Sequence, residues 1–265
     1  MLPEDTFAGQ VAVITGGGTG LGYGIAEKLG RMGAKLALVG RPASARNPDH
    51  IGPAAAKLGS MGIEAIAVPT DIRQPDQVEA MGAQVLDRFG RMDMLVNSAA
   101  GNFIVDSEKL SVNGFNTVVA SVLHGTFYCT RIAGLHFIES GRGGRILNIV
   151  ASYAWTGGPK TLHSAVAKAG VVAMTRTLGA EWAHYGIRVN CISPGPTDTD
   201  GARQALWPDE ESSARLRAQI PAGRFGEVDE VANAACYLLS PYADYITGEV
   251  LVIDGGQWLG GGSLR

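Results

Sequence analysis

Short apolar runs rich in β-branched residues alternate along the chain with longer segments in which apolar residues recur at every third or fourth position. The short runs predict buried strands, and the longer segments predict helices that pack against them. Strands that alternate with helices imply right-handed crossovers and a parallel doubly wound sheet of about seven strands, a Rossmann-like α/β fold. The predicted strands start at Val11 and Met94 and cover residues 35–39, 63–68, 145–150, 188–192 and 249–253.

Two long helical segments carry apolar residues on more than one face. They cover residues 111–138 and 161–182, and in the second the apolar positions are distributed almost all round the helix axis. A helix of that kind needs cover on more than one side. Packing of a second copy against these helices is the simplest cover, so we expect a symmetric homo-oligomer, with a tetramer favoured.

Composition narrows the class of protein. The 265 residues, 46% of them apolar, can bury a substantial core, and we expect one domain over residues 1–265. A formal net charge of −3 gives no cationic surplus for a nucleic acid. Residues 1–10 include two acidic residues and no long apolar run, so we expect no membrane partner and a cytoplasmic location. The three cysteines are widely spaced and the five histidines form no ligand cluster, so we expect neither a disulfide framework nor a metal site.

A glycine-rich turn, T-G-G-G-T-G-L-G, follows the first predicted strand and opens a helix. Glycine lets a backbone pass close to a phosphate, because a Cβ atom would collide with the ligand and several of the required torsions are open only to glycine. The helix N-terminus behind the turn offers unpaired N–H groups and a positive dipole end to an anion. The arrangement favours a pyrophosphate, although such turns also occur as plain tight corners. The candidate residues are Gly16, Gly18, Thr19, Gly20, Leu21 and Gly22.

The end of the second predicted strand bears on the choice of cofactor. About 20 residues beyond a dinucleotide turn, a carboxylate takes the ribose 2′-hydroxyl of NAD, whereas an arginine suits the 2′-phosphate of NADP. Here the position holds Arg41 and no acidic residue, which favours NADP(H). Arg41 could also merely solvate a loop, and Arg46 could serve in either role.

Several motifs, in this order, resemble those of the short-chain dehydrogenase/reductase family. The turn has the family's T-G-x-x-x-G-x-G spacing, the segment at Asn97 resembles its N-N-A-G motif, and Lys168 stands where the family has its catalytic lysine. The resemblance covers residues 9–256, and it implies that Asn97 braces strands. Asp71 could instead cap the helix that starts near Pro75. The implied cofactor contacts, beyond the turn, are Asp71, Ile72, Ala99, Lys168, Pro194, Gly195, Pro196 and Thr197.

Three of the family's four catalytic groups are replaced in this chain. Ser164 lies four residues before Lys168, where the family has a tyrosine, while Ala151 replaces the usual serine and His124 the usual asparagine. A serine hydroxyl cannot replace a phenol whose acidity a nearby lysine brings towards neutrality. Ordinary alcohol dehydrogenation is therefore disfavoured.

A different tyrosine, Tyr153, follows the fifth predicted strand and precedes Lys168 by fifteen residues. Together with A-A-G-N-F at residues 99–103, the Ser-x-x-x-Lys helix and the P-G-P segment, it makes the chain resemble the NADPH-dependent 2,4-dienoyl-CoA reductases. That resemblance implies that hydride from NADPH reduces the δ-carbon of a trans-2,4-dienoyl-CoA. The dienolate would then be protonated at the α-carbon to give trans-3-enoyl-CoA, in the oxidation of unsaturated fatty acids.

The same resemblance implies roles for individual residues. Tyr153 and Asn102 would hold the thioester oxygen, because the charge forms there rather than at the carbon that receives hydride. Lys168 would hold the nicotinamide ribose, and Ser164 would steady Lys168 or a water molecule.

A polar and irregular segment of about residues 197–221 would cover the acyl-CoA substrate, although Asp198 departs from the lysine of mitochondrial members. The implied substrate contacts are Arg73, Phe103 and Ser111, with Arg41 also near a CoA phosphate.

Two other interpretations stay open. The protein could be a reductase of the same fold that acts on a different enoyl or keto substrate, with Tyr153 as the acid. It could also be a non-catalytic NADP-binding sensor or scaffold, because the usual tyrosine is missing. A binding protein of that kind would bind NADPH but would not oxidise it, whichever acyl-CoA is added.

Overall fold

A computed structural model describes residues 2–44, 47–199, 201, 203 and 209–259 of the chain. Its seven strands form one parallel sheet in the order β3-β2-β1-β4-β5-β6-β7. The predicted seven-stranded parallel sheet is therefore confirmed. The strands are β1 (Val11–Thr15), β2 (Lys35–Gly40), β3 (Ala65–Pro69), β4 (Met94–Asn97), β5 (Gly144–Ile149), β6 (Ile187–Pro194) and β7 (Val250–Ile253).

Helices cover both faces of the sheet, and alternate strand residues supply the two cores. Ile14 of β1 packs in the core on one face, and its neighbour Val13 packs in the core on the other. This is the pattern expected of strands that are buried on both sides. The helices are α1 (Gly20–Arg31), α2 (Ile51–Ser60), α3 (Pro75–Phe89), α4 (Val112–Val119), α5 (Gly125–Ser140), α6 (Tyr153–Thr156), α7 (Leu162–Glu181), α8 (Glu210–Arg217) and α9 (Val228–Leu239).

The strand order reverses next to β1, which places β2 on one side of it and β4 on the other. Chain segments that leave the carboxyl ends of β1 and β4 separate there and leave a crevice, where ligands bind in open sheets of this kind. The turn after β1 and the segments after β4, β5 and β6 all lie at this edge. The same edge carries the candidate residues of the glycine turn, Asn102, Tyr153 and residues 194–197.

The long helix predicted over residues 111–138 is interrupted. After α4, residues Ala120–His124 form one π-helical turn, and α5 then continues to Ser140. The whole run Val112–Ser140 is long and apolar enough to cross a membrane by length and composition alone. Its residues Cys129, Ala133 and Phe137 pack into the core against the sheet, as those of a core helix do.

The segment predicted as irregular over residues 198–221 contains a helix, so that prediction is wrong for residues 210–217. Asp209 caps α8 by accepting a hydrogen bond from the N–H of Ser212 at 2.8 Å. Glu211 and Arg215 form an ion pair one turn apart on its exposed face. The helix α8 has no apolar stripe and is held by its cap and by charge pairs. The periodicity of the sequence therefore did not predict this helix. Residues 200, 202 and 204–208 of the segment lie outside the described residues.

Candidate active site at the carboxyl edge of the sheet

The glycine turn after β1 is too tightly packed for side chains. Gly16 has φ +67° and Gly20 has φ +52°, a backbone region that residues other than glycine rarely adopt. A Cβ atom on Gly16 would lie 2.9 Å from the Cα of Ala99, and one on Gly22 would lie 2.2 Å from the carbonyl oxygen of Gly16. Glycine at these positions keeps the turn flat against the segment that follows β4.

The N-terminus of α1 is open to an anion. Thr19 occupies the N-cap position but its side chain makes no capping hydrogen bond, and the first turn holds no acidic residue. The first N–H groups of the helix and its positive dipole end therefore point into the crevice without competition from the helix's own residues. Leu21 packs partly against the core, and the backbone of His50 lies over Gly18. These features fit a dinucleotide pyrophosphate.

Arg41, at the end of β2, is exposed and lies close enough to Asp71 to contribute to the low pKa of that carboxyl group. The larger cause is Arg73, which binds Asp71 through its Nε at 2.8 Å. The N-cap of α3 is Gln74, so the alternative that Asp71 caps this helix is wrong. Asp71 instead holds the guanidinium of Arg73 in place. Arg46 lies outside the described residues.

The side chains of two candidate residues, Ile72 and Ser111, already make contacts within the fold. The side chain of Ile72 is buried and packs against Gly125 at the start of α5, so any contact with a cofactor would have to come from its main chain. The hydroxyl oxygen of Ser111 caps α4 by accepting a hydrogen bond from the N–H of Gly114 at 3.0 Å. Ser111 keeps its own proton to donate, and one lone pair of its oxygen is taken by the cap.

A buried polar network forms the floor of the crevice. The side-chain amide of Asn97 donates to Asn148 at 2.8 Å and to Thr130 at 3.1 Å, and Asn148 donates in turn to Thr175 at 2.8 Å. The network ties β4 to β5, α5 and α7, so Asn97 braces these elements as its position in the sequence suggested. Beside it, the hydroxyl of Thr15 accepts hydrogen bonds from the N–H groups of Ser98 and Ala99, each at 3.1 Å. Ala99 is thus fixed against the glycine turn.

Tyr153 and Ser164 come together in the centre of the site. Tyr153 opens the single turn of α6, directly beyond β5, and its hydroxyl lies 3.0 Å from the hydroxyl of Ser164 on α7. The resemblance implies that Ser164 steadies Lys168 or a water molecule, and in the structure the hydrogen-bond partner of its hydroxyl is the phenol of Tyr153. Burial raises the pKa of Tyr153 and the hydrogen bond with Ser164 partly opposes that rise. The phenol therefore stays protonated at neutral pH and can act as a hydrogen-bond donor.

Lys168 lies one helical turn beyond Ser164 and is buried. Its ammonium group donates to the carbonyl oxygen of Ile149, the last residue of β5, at 2.5 Å. Burial lowers the pKa of Lys168 to about 8, with the nearby thiol of Cys191 opposing the change. A lysine with this pKa is still mostly charged at neutral pH, so the site holds a cation directly beside the crevice.

The structure adds one residue that the sequence did not single out. His163 is fully buried next to Ser164, and its ring stacks on that of Phe103 with centroids 4.2 Å apart. Phe103 is 41% exposed, so one face of its ring rests on His163 while much of the side chain stays accessible. The adjacent Asn102 accepts a hydrogen bond from the N–H of Phe103 at 2.9 Å. No periodicity marks His163, because its role depends on a loop from a distant part of the chain.

The segment after β6 is firmly held. The N–H of Gly195 donates to the carbonyl of Ile253 at 2.8 Å, and a Cβ on Gly195 would lie 2.6 Å from the Cβ of Asp254. The carbonyl of Pro196 accepts from Gly226, and the hydroxyl of Thr197 donates to the carbonyl of Gly195 at 3.0 Å. These hydrogen bonds fix the segment from Pro194 to Thr197 at the same edge of the sheet as the glycine turn.

Two of the three replaced family positions, residues 151 and 124, carry no equivalent chemistry. Ala151 has no polar side-chain atom, and His124 is exposed at the end of the π-helical turn with its ring 6.4 Å from that of Tyr128. The π-helical turn itself lies where the family has its asparagine, and such turns are frequent at functional sites. The polar candidate groups at this edge are the phenol of Tyr153, the hydroxyl of Ser164, the ammonium group of Lys168 and the side chain of Asn102.

A cavity of about 660 Å³ lies away from this site, at the amino-terminal ends of β5 and β6. It is lined by Arg142, Arg145, Arg188, Asp93 and Asp244, among others. Buried Arg188 donates three hydrogen bonds to the carbonyls of Leu238, Ser240 and Ala243, which is a structural role. The candidate residues Tyr153 and Lys168 lie at the other, carboxyl edge of the sheet.

Comparison with known proteins identifies the family of the chain. A family model described as enoyl-(acyl carrier protein) reductase matches residues 16–257. A Bacillus subtilis (strain 168) protein named "Probable 2,4-dienoyl-CoA reductase [(2E)-enoyl-CoA-producing]" is 39% identical over 94% of this chain and 97% of its own. The peroxisomal 2,4-dienoyl-CoA reductase of Pongo abelii, of the (3E)-enoyl-CoA-producing type, is 40% identical over 96% of this chain and 86% of its own.

Solved structures show the same fold. A short-chain dehydrogenase from Bacillus anthracis is 42% identical, with a TM-score of 0.83, over 94% of this chain and 97% of its own. A protein from Beutenbergia cavernae, assigned as an NAD(P)-dependent gluconate 5-dehydrogenase and crystallised with bound NADP, is 32% identical with a TM-score of 0.88. That alignment covers 97% of this chain and 99% of the other.

Proposed function

Because the chain belongs to the short-chain dehydrogenase/reductase family and is an oxidoreductase, we propose that it reduces trans-2,4-dienoyl-CoA thioesters with NADPH. The observation that carries the proposal is the contact between Tyr153 and Ser164. The acidic side chain of the site is a phenol on α6, and a serine occupies its usual place on the helix of Lys168. A phenol so placed suits a charge that forms away from the carbon that receives hydride.

The proposed reaction separates the hydride acceptor from the oxygen that gains charge. Bound NADPH supplies a hydride, and the electron pair that it brings to the δ-carbon moves through the conjugated diene to the thioester oxygen. That oxygen needs hydrogen-bond donors in place before the reaction. Tyr153 is such a donor, because burial keeps its phenol protonated. Asn102, whose side-chain amide stands on the neighbouring loop, is the second donor in this proposal.

Ser164 and Lys168 support the donor. If the phenol proton of Tyr153 points to the thioester oxygen, the hydroxyl of Ser164 must donate to the phenol oxygen, since the two hydroxyls lie 3.0 Å apart. Lys168 holds a positive charge in a buried position and favours the developing enolate through space. The same ammonium group is the contact for the nicotinamide ribose in this proposal.

A proton from solvent completes the reaction, and where it binds decides the product. Protonation of the dienolate at the α-carbon gives a trans-3-enoyl-CoA, whereas protonation at the γ-carbon gives a trans-2-enoyl-CoA. Among the similar proteins, names of both types occur. We propose the trans-3 product for this chain. Reduction in ²H₂O, followed by NMR of the product, tells the two apart by whether deuterium lies on the α- or the γ-carbon.

NADP(H) is the proposed cofactor rather than NAD(H). The described end of β2 carries the exposed guanidinium of Arg41 and no carboxylate in the same segment, and an arginine suits a 2′-phosphate. Asp71, whose carboxylate lies close enough to Arg41 to feel its charge, is already bound by Arg73. The open N-terminus of α1 would hold the pyrophosphate.

We also propose that the protein is a symmetric homotetramer. Large apolar side chains remain exposed along the two long helical segments, which is unusual for a free surface. Sedimentation equilibrium gives the mass directly, and a monomeric mass would contradict this part of the proposal. The exposed side chains are Val112, Phe127, Leu135, Leu162 and Val166.

The decisive experiment follows the loss of NADPH absorbance with trans-2,trans-4-hexadienoyl-CoA and trans-2,trans-4-decadienoyl-CoA. Crotonyl-CoA and acetoacetyl-CoA serve as the enoyl and keto comparisons. We expect turnover of the dienoyl thioesters at rates well above those of the comparisons. Preferred turnover of crotonyl- or acetoacetyl-CoA would instead support a different reductase, and binding of NADPH without oxidation by any thioester would indicate a non-catalytic protein.

A further inference from the structure

Two tryptophans stand together at one end of the candidate site. The rings of Trp155 and Trp258 meet edge to face, with centroids 6.0 Å apart and an angle of 89° between their planes. Each side chain is 41% exposed, and the neighbouring Leu259 is 69% exposed. Trp side chains usually bury most of their large apolar area, so a pair this exposed on the described surface is a ready contact for an apolar ligand.

Both rings are fixed to the elements that build the site. Trp155 lies two residues after Tyr153 in the single turn of α6. Trp258 lies on the short 3₁₀ turn Gln257–Leu259 that follows β7, and its main-chain N–H donates to the carboxylate of Asp254 at 2.8 Å. The other oxygen of that carboxylate accepts from the N–H of Gly256 at 2.9 Å. The main chain that carries Trp258 is therefore held in place, and its ring rests against that of Trp155, so that part of the ordering is complete before a ligand arrives.

The strand order gives the site two ends. In the sequence of strands β4-β5-β6-β7, Phe103 follows β4, Tyr153 follows β5 and Trp258 follows β7. Phe103 and Trp258 thus lie on opposite sides of Tyr153 along the same edge. A long substrate that places its carrier on the β4 side and its thioester at Tyr153 must continue towards the β7 side, where the tryptophan pair lies.

We propose that Trp155 and Trp258 bind the saturated tail of the acyl chain beyond the reacting diene, and thereby set the preference for chain length. This inference rests on the proposed function, since it needs an acyl thioester as the substrate. Each methylene that leaves water for an apolar surface gains binding energy, so a medium or long tail gains from the pair and a very short one does not. The side chains act as specificity-determining residues rather than as catalysts.

The test compares two substrates that differ only in the tail. For Trp258→Ala, the ratio of kcat/KM for decadienoyl-CoA to that for hexadienoyl-CoA should fall about tenfold relative to the wild type, mainly through KM for the longer substrate. Trp258→Phe keeps an aromatic ring and should restore most of the ratio, which guards against misfolding of the alanine variant. Tyr242→Ala, which removes an aromatic side chain 61% exposed near the opposite edge of the sheet, is the matched control and should leave the ratio unchanged.

The outcomes separate this inference from the proposed function. Wild-type protein that turns over neither dienoyl-CoA would defeat the proposed function itself. Turnover of both with a ratio that Trp258→Ala does not change would overturn the tail-binding role alone. A ratio unchanged in Trp258→Ala together with a smaller mass in sedimentation would show that the pair is a contact between copies of this chain. Binding of saturated decanoyl-CoA in the presence of NADP⁺ gives a readout independent of turnover, and should weaken about tenfold in Trp258→Ala.

Discussion

The phenol of Tyr153 lies 3.0 Å from the hydroxyl of Ser164, which stands one helical turn before Lys168. The helix of the lysine thus keeps a hydroxyl in the family's tyrosine position, but that hydroxyl serves a phenol supplied by α6. Compared with the family pattern, the phenol stands on α6 instead of α7. It still forms a hydrogen bond with α7, the helix that carries Lys168. The chemistry proposed for the site depends on this pair.

Substitution of each partner should separate their roles. Tyr153→Phe removes the donor to the thioester oxygen and should lower kcat for hexadienoyl-CoA by about 10²–10³, as loss of one oxyanion donor typically does. Ser164→Ala removes only the group that orients the phenol, so we expect a loss of about tenfold. Affinity for NADPH, measured by fluorescence titration, should change little in either variant.

The control is Tyr185→Phe, which removes an exposed phenol from the far edge of the sheet and should leave kcat unchanged. Undiminished turnover by Tyr153→Phe would contradict the assignment of the donor. A loss in Ser164→Ala as large as that in Tyr153→Phe would mean that the serine, not the phenol, meets the substrate.

The lowered pKa of Lys168 predicts a pH dependence. Burial brings the pKa from 10.5 to about 8, so the ammonium charge is lost as the pH rises through about 8. We expect kcat/KM for NADPH to fall above that pH, because this constant reports ionisations of the free enzyme. Lys168→Arg, which stays charged, should abolish the decline even if its rate is lower. A profile that stays flat to pH 9.5 in the wild type would contradict a role for the charge.

The same shift acts on stability with a defined sign. The folded state releases the proton of Lys168 at about pH 8, whereas the unfolded chain keeps it to about pH 10.5, so the unfolded state binds more protons between these values. The free energy of unfolding should therefore gain a positive contribution from this group as the pH rises from 8 to 10.5. Lys168→Met should lose that contribution, which denaturant titrations at pH 7.5 and 10 would detect.

The sequence predicted the sheet well because its strands are short apolar runs separated by helices with clear periodicity. It also brought the right segments to one edge, since the carboxyl ends of parallel strands must lie together. Local pairings were harder to predict. The hydrogen bond between Ser164 and Tyr153 was not predictable, because α6 is a single turn and four residues carry too little periodicity to show where a side chain points.

Long-range packing explains the other differences. His163 is buried under Phe103, a contact between a helix start and a loop sixty residues away, and no local pattern encodes it. Asp71 suggested a helix cap from its place near Pro75, but the backbone of the intervening turn puts Gln74 at the cap and leaves Asp71 to Arg73. The helix α8 was missed because its stability comes from a cap and ion pairs rather than from an apolar face.

Close packing in the glycine turn predicts a selective effect of added methyl groups. Gly22→Ala places a Cβ 2.2 Å from the carbonyl oxygen of Gly16, so the turn must open and the approach to a pyrophosphate is lost. We expect affinity for NADPH to fall by at least about 10²-fold, as measured by fluorescence titration. Gly59→Ala in α2 meets nothing within 4 Å, and should leave binding unchanged while raising stability by about 0.5–1 kcal/mol. Equal NADPH affinity in both variants would mean that the turn does not bind the cofactor.

The exposed guanidinium at the end of β2 predicts how cofactor preference can be changed. Arg41→Asp replaces a partner for the 2′-phosphate of NADPH by a carboxylate that suits the 2′-hydroxyl of NADH. The ratio of kcat/KM for NADPH to that for NADH should fall by at least about 10²-fold, because the variant loses an attraction and gains a repulsion.

Arg142→Asp makes the same change of charge at the opposite edge of the sheet and is the matched control, for which the ratio should stay within about twofold of the wild type. Since Arg41 also contributes to the low pKa of Asp71, a structural effect is checked by the thermal midpoint, which should differ little between the two variants. A ratio that Arg41→Asp leaves unchanged would show that the 2′-phosphate is held elsewhere.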